Sequence, residues 1–332
     1  MSRAPGRRQV LAGLGGALVS RWLAGCDRLV ILDDLVGAAI EPITPNDRFY
    51  VYQVGSAPDV DPDRHQVRVV GLDGELLAAF DRAALRALPA REREHTLQCV
   101  GARPTYQQIG NARWEGLPLG EVLSALGVRP PPGAVDLVAT GADDYVASIP
   151  ATDLEDGPIW LAWGMNGVPL PRAHGAPARL LVPGRYGMKN VKWPAELRFS
   201  REPVPSYWSA QGWSEAAPYR PNTFVASPPD GFEVPPGTVV RFVGTAFAGE
   251  DVVEGVEVAA GGDPWRAADL DYAPDVPGVW VLWSFPWEVP PGDHTVAARC
   301  RTRSGARSHP SPEGTRPLDG YDGSMAIRIR AR

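Results

Sequence analysis

One cysteine stands apart in this chain. In HTLQCVGARP, residues 95–104, Cys99 sits in a short apolar run followed by Gly101, Arg103 and Pro104, and the 332 residues hold only three cysteines. A thiolate is a soft donor that suits a soft or high-valent transition metal far better than Mg or Ca. One thiolate does not bind zinc alone, and neither a Cys-x-x-Cys pair nor a histidine cluster lies near it. If Cys99 binds a metal, a cofactor has to supply most of the other ligands. Cys300, in HTVAARCRTRSG, lies where apolar residues roughly alternate and reads as a strand residue. The sequence contains no Cys-x-x-Cys-His, iron–sulfur spacing, G-x-G-x-x-G, Walker or H-E-x-x-H pattern.

The N-terminus bears on the compartment. GRRQVLAGLGGALVSRWLAGC places Arg7 and Arg8 before an apolar run too short to span a membrane, the arrangement of a twin-arginine export signal. The run ends in Leu23-Ala24-Gly25-Cys26, which resembles the lipobox that leaves an acylated cysteine as first residue. A poorly ordered basic tail is the alternative. Twin-arginine export carries folded proteins, commonly with a cofactor already inserted, so the expectation is a periplasmic or extracytoplasmic lipoprotein anchored to a membrane at Cys26. Removing Arg3, Arg7, Arg8 and Arg21 would take the formal charge from -6 to about -10. That acidity argues against nucleic acid as a partner.

The elements that must hold Cys99 follow from turn chemistry and periodicity. HQVRVVGLDGE predicts a hairpin with Asp73-Gly74 at its turn. FDRAALRALPA predicts a short helix capped by Asp81, and PLGEVLSALGV a second, stopped by Gly127. VDLVATGADDYVASIP and ARLLVPGRYGMKNVKW supply strands without regular βαβ alternation, so this half reads as α+β. From about residue 226 short alternating strands separated by Pro, Gly and Asp turns predict an immunoglobulin-like β-sandwich, with Trp265, Trp280, Trp283 and Trp287 in its core or an interface. The expected organisation is signal 1–26, oxidoreductase domain 27–225 and sandwich 226–332.

LQCVGAR, ARWEGLPLGEVL, MNGVPLPRAHGAPARLLVPG and YGMKNVKW, in this order and spacing, resemble the sulfite oxidase family of molybdenum enzymes. The resemblance runs from TPNDRFYV to the C-terminal sandwich. It implies a mixed α+β molybdopterin domain followed by an immunoglobulin-like domain used for homodimerisation. It also implies a molybdenum–molybdopterin cofactor with one pterin dithiolene, with Cys99 as the protein's thiolate ligand. His174, Arg179 and Lys192 fall where the family grips the pterin and its phosphate, and Lys189 stands where the family usually has an arginine. Fixed cationic donors suit a phosphate dianion; taken without the resemblance, each base reads as a surface charge. Arg103 would lie near the metal.

The departures bear on the substrate. Sulfite oxidases typically carry Arg-Asn-His after the strand that here reads RFYVYQVG, where this chain has Tyr52, Gln53 and Val54. A tyrosine beside the metal is replaced by Trp213. Both changes make the pocket more aromatic and less positive, which suits a sulfoxide or N-oxide better than a small dianion; Arg103, Lys189 or Arg185 could compensate in part. The expectation is two-electron oxygen-atom transfer on a small substrate, with Tyr52, Gln53, Arg103 and Trp213 on the substrate side and a separate cytochrome or membrane quinone system as electron partner. Sulfite dehydrogenation is the first alternative. A non-catalytic surface lipoprotein, a binding module, is the alternative from another class.

Overall fold

The computed structural model describes residues 40–102, 108–154, 159–309 and 317–332. The signal, Cys26 and Arg103 lie outside the described residues. Among these residues no helix is long and apolar enough to cross a membrane.

Two sheets build the first half. One runs in the order Leu76–Asp81, Gln66–Val70, Pro194–Ser200, Asp136–Gly141, Val146–Pro150, antiparallel except where Gln66–Val70 meets Pro194–Ser200. The other runs Arg91–Gln98, Ile109–Pro118, Trp160–Met165, Val168–Pro169, with Arg179–Leu181 also paired to Trp160–Met165. Trp160–Met165 is buried along its whole length because it feeds two cores. Leu161 and Trp163 join the core that includes Val69, Leu137 and Leu197, whereas Trp160, Ala162 and Met165 join Phe49, Leu97 and Trp114 on the opposite side. Alternate residues of a strand point to opposite faces, so a strand with cover on both sides reads as one apolar run.

The predicted hairpin forms with Gly74 at φ 85°, a conformation that costs a glycine little. Asp81 caps the first helix by accepting from the Ala84 N–H at 2.9 Å. The two helices are short, however: Arg82–Arg86 and Leu119–Ala125. Strand dominates this half, and the expected α+β class reduces to two single-turn or two-turn helices on a β framework.

In the second half, Asn222–Ser227, Thr238–Phe247, Val281–Val289 and Asp269–Tyr272 form one sheet. Phe232–Val234, Ala326–Ala331, Gly292–Thr302, Val253–Ala260 and Arg266–Ala267 form the other. The two share one apolar core containing Phe242, Val256, Trp283, Val296 and Ile327. The first strand of this sandwich starts at Asn222, ahead of residue 226. Trp280, Trp283 and Trp287 are buried as expected, but Trp265 is 37% exposed and carries the Arg299 guanidinium over its ring at 4.2 Å. Cys300 is buried within its strand, and its thiol donates to the Asn222 carbonyl at 3.4 Å.

The halves are joined beside Cys99. The Gln98 and Asn222 amides exchange hydrogen bonds at 3.2 and 3.1 Å, the Gln98 N–H donates to the Tyr219 hydroxyl at 3.3 Å, and the Trp280 N–H donates to Thr96 at 2.9 Å. Val100, Tyr186 and Tyr219 pack with Phe247 and Trp280 in a cluster that crosses the seam.

Candidate active site

Cys99 is the first residue past the strand Arg91–Gln98. Its N–H donates to the Gln108 carbonyl at 2.9 Å, and its own carbonyl accepts from Ala102 at 3.0 Å, which turns the chain sharply and leaves the thiol at the strand's end. Cys99 lines a cavity of about 240 Å³ together with Tyr52, Gln53, His174, Arg179, Lys192 and Trp213. Segments separated by more than a hundred residues therefore converge on one cavity. Lys189 does not line this cavity.

The basic residues are placed by local backbone design. Arg179 and Lys192 are bridge partners on adjacent antiparallel segments, which sets their side chains next to each other. Gly175, at φ 116°, turns the chain after His174, and a Cβ there would lie 3.1 Å from that of Arg179 and 3.2 Å from that of Lys192. The glycine lets the histidine turn come that close.

Arg179 is buried, its guanidinium 5.0 Å over the Trp114 ring, and burial holds it down to about 10. One Nη donates to the His174 carbonyl at 3.2 Å, and Nε has no partner. Lys192 donates to Gln53 Oε1 at 2.8 Å and to the Ala173 carbonyl at 3.2 Å. Burial, with Arg179 next to it, lowers Lys192 to about 7. His174 Nε2 lies 2.7 Å from the Asn46 carbonyl, so the proton sits on Nε2 and Nδ1 is the ring's acceptor; burial lowers its pKa and keeps the ring neutral. Burial raises the Cys99 thiol, against a smaller opposing effect of the Gly101 N–H.

Lys189 departs from the cofactor role the sequence suggests. Its ammonium donates to the Ser148 carbonyl at 2.8 Å and Ser206 Oγ at 2.7 Å, and it forms an ion pair with Glu215. Glu215 in turn accepts from the Ser206 N–H at 3.0 Å. The pairing acts unequally on the two partners. Burial raises Glu215, but the hydrogen bonds of Lys189, Ser209 and Ser206 outweigh it and hold the carboxyl at about 2; for Lys189 burial wins over Glu215 and lowers the ammonium. We take Lys189 as charged, since its donors all meet acceptors.

Among the lining residues that escaped the sequence reading are Tyr50, Asp143, Tyr145 and Trp208. Tyr50 is packed so that a Cβ on Gly187 would touch its hydroxyl at 2.9 Å. Tyr145 donates to the Met188 carbonyl at 2.6 Å, and its N–H donates to Asp143 at 3.3 Å. Burial raises both phenols above their ordinary value, with Cys99 a secondary cause. Trp208 could have been found only from the repeat of tryptophans in SYWSAQGW, which the resemblance treats through Trp213 alone.

Residues 54–208 match the oxidoreductase molybdopterin binding domain. The chain is 31% identical over 304 residues to mitochondrial sulfite oxidase of Macaca fascicularis, covering 78% of this chain and 55% of that protein. It is 31% identical over 303 residues to sulfite oxidase of Gallus gallus (75% and 64%) and 28% over 280 residues to that of Arabidopsis thaliana (70% and 71%). The sulfane dehydrogenase SoxCD of Paracoccus pantotrophus superposes with a TM-score of 0.76 at 20% identity, over 88% of this chain and 82% of that one, and so shares the fold. The chain is a molybdopterin-binding oxidoreductase similar to the sulfite oxidases. It spans about half the length of the mammalian sulfite oxidases it matches.

The residues present fit the cofactor of the sulfite oxidase family. Among the described residues no group of three or more His, Cys, Asp or Glu is placed to hold a metal, so Cys99 needs ligands that a pterin dithiolene provides. Arg179, buried, and Lys192, half-buried, are neighbouring cations, neither in ion-pair contact with a described carboxylate, and the Arg179 Nε is orphaned. A buried cation without a counter-ion is costly, and a pterin phosphate would supply the missing charge.

Proposed function

We propose that the chain is an exported oxidoreductase that transfers one oxygen atom, coupled to two electrons, on a weakly polar S-oxide or N-oxide. The carrying observation is the charge layout of the cavity. Its described cations are Arg179 and Lys192, which we assign to the cofactor, and the rest of its lining includes Tyr52, Gln53, Trp208 and Trp213, which we assign to the substrate. The bound molybdenum cofactor supplies the two-electron, oxygen-accepting centre. Cys99 holds the metal. Arg179 and Lys192 bind the cofactor's phosphate, and the neutral His174 offers Nδ1 as a hydrogen-bond acceptor to the pterin. Trp213 can donate its indole N–H toward a substrate oxygen but has no hydroxyl proton to release. A small dianion forgoes the missing arginine contact, about 1.5–3 kcal/mol and so roughly 10- to 150-fold in affinity.

Export, the lipid anchor at Cys26, an immunoglobulin-like sandwich that pairs two copies, and delivery of electrons by a separate cytochrome or quinone system belong to the same reading. Sulfite dehydrogenation is the second reading, favoured by the names of the relatives and by the sulfur substrate in the name of the structural neighbour. An anaerobic titration of the molybdenum-loaded protein separates them through the thiolate-to-metal absorption band. Bleaching by micromolar sulfite favours the dehydrogenase. No bleaching by sulfite, with recovery of the band when a sulfoxide meets chemically reduced protein, supports the proposal.

A further inference from the structure

The residues from 206 to 215 form a closed loop that delivers two indoles to the cavity. Ala210 donates to the Ser206 carbonyl at 3.0 Å, Gln211 and Trp213 donate to that of Trp208 at 3.0 and 3.2 Å, and Gly212, at φ 97°, reverses the chain. The loop is fastened at its start by the Tyr207 N–H to the Val146 carbonyl at 2.9 Å and by the Lys189, Ser206 and Glu215 cluster. Its indoles are therefore held in place before any ligand arrives.

The rings of this loop continue a row. Tyr145 lies 5.6 Å from Tyr207, Tyr207 meets Trp208 edge-on at 5.2 Å and 88°, and Trp208 faces Tyr52 at 6.1 Å and 42°. Tyr145, inside the cavity, is one end. Tyr52 and Tyr207, 45% and 36% exposed, carry the row into solvent. The carboxylates nearby are occupied, Asp143 by the Tyr145 N–H and Glu215 by Lys189. A ligand entering here meets π surface more than charge.

We propose that this row selects the non-reacting part of the substrate and that the substrate is an aryl-bearing S-oxide or N-oxide. This rests on the oxygen-transfer reading above and narrows it. Aromatic pairs gain from tilted and edge-on contact beyond area burial, which an aliphatic group of equal size does not share. Rings fixed in advance lose little freedom when a flat group docks on them. A bare oxyanion makes neither gain.

The test uses ligands that cannot turn over. Calorimetric binding of methyl phenyl sulfone, cyclohexyl methyl sulfone and dimethyl sulfone is measured on the molybdenum-loaded protein. The expected result is phenyl about 5-fold tighter than cyclohexyl, and both tighter than dimethyl. Trp208→Leu and, separately, Tyr52→Leu should bring the phenyl and cyclohexyl affinities together, with metal content and melting temperature recording that each variant folds. Phenyl binding no tighter than cyclohexyl in the unaltered protein overturns the proposal, as does a preference that survives both substitutions. Turnover of sulfite but of no sulfoxide would instead overturn the functional reading, and the sulfone affinities would still decide the aryl preference.

Discussion

Replacing Lys189 by Met tests whether the residue serves the fold or the cofactor. Its side chain is 2% exposed and donates to the Ser148 carbonyl, Ser206 Oγ and Glu215. Breaking a buried pair by removing one partner costs about 3–5 kcal/mol when the remaining charge stays buried. Here the Glu215 side chain is 46% exposed and water can reach it, and Lys189 already bears a burial cost, so about 2–3 kcal/mol is expected. At roughly 2–4 °C per kcal/mol, the melting temperature at pH 7 should fall by about 5–10 °C. The pH dependence has a definite sign. A carboxyl held down to about 2 stabilises the fold fully above its ordinary value of 4.5 and loses that contribution as the pH falls toward 2. Without Lys189 the carboxyl rises, so the gap between the two proteins should be widest above pH 5 and close on acidification. Calorimetric melts across pH 3–8, with molybdenum and pterin assayed on the same samples, read both effects. An unchanged melting temperature accompanied by loss of pterin would refute the reasoning and return Lys189 to the cofactor.

Lys192 is lowered to about 7 by burial and by Arg179, below its ordinary 10.5, so in the cofactor-free protein it costs stability below pH 7 and the cost is relieved as pH rises toward 10.5. Melts of the cofactor-free protein should therefore gain stability over that window relative to Lys192→Met, and a flat difference would contradict it. Gly187→Ala would place a methyl group 2.9 Å from the Tyr50 hydroxyl and 3.3 Å from the Gln98 carbonyl, costing about 1–3 kcal/mol in chemical denaturation. Cys300→Ala should lose about 1–2 kcal/mol yet keep its molybdenum, whereas Cys99→Ser should lose the thiolate absorption band; metal analysis and spectra of both variants check the contrast.

Local signals were the most legible part of the sequence. Asp81 at a helix start and Asp73-Gly74 at a turn act through atoms a few residues away, and both elements form where the pattern puts them. Helix length was less legible. PLGEVLSALGV has suitable periodicity, but only Leu119–Ala125 is helical, with Pro118 and Leu126 at its ends. Among site residues, Cys99, His174, Arg179 and Lys192 could be placed because each lies within a contiguous motif. Tyr145 and Trp208 could not, since their meeting depends on the loop after Pro194–Ser200 folding back onto Val146. Lys189 shows the converse: its neighbours in sequence suggest the cofactor, whereas its neighbours in space are Ser148, Ser206 and Glu215. Trp265 lies outside the core, exposed just ahead of the edge strand Arg266–Ala267, because alternation alone does not reveal where a covered face ends.

The clasp between Gln98 and Asn222 bears on the order in which the chain can mature on the ribosome. The residue before Cys99 is held by an amide at the head of the sandwich, and that sandwich is completed only by the strand Ala326–Ala331 pairing with Phe232–Val234 and Gly292–Thr302. The strand that leads into Cys99 is made more than two hundred residues before the strand that completes its support. Its final seating thus waits on residues far downstream, and a nascent chain stalled before residue 326 would present Cys99 past a strand still lacking its clasp.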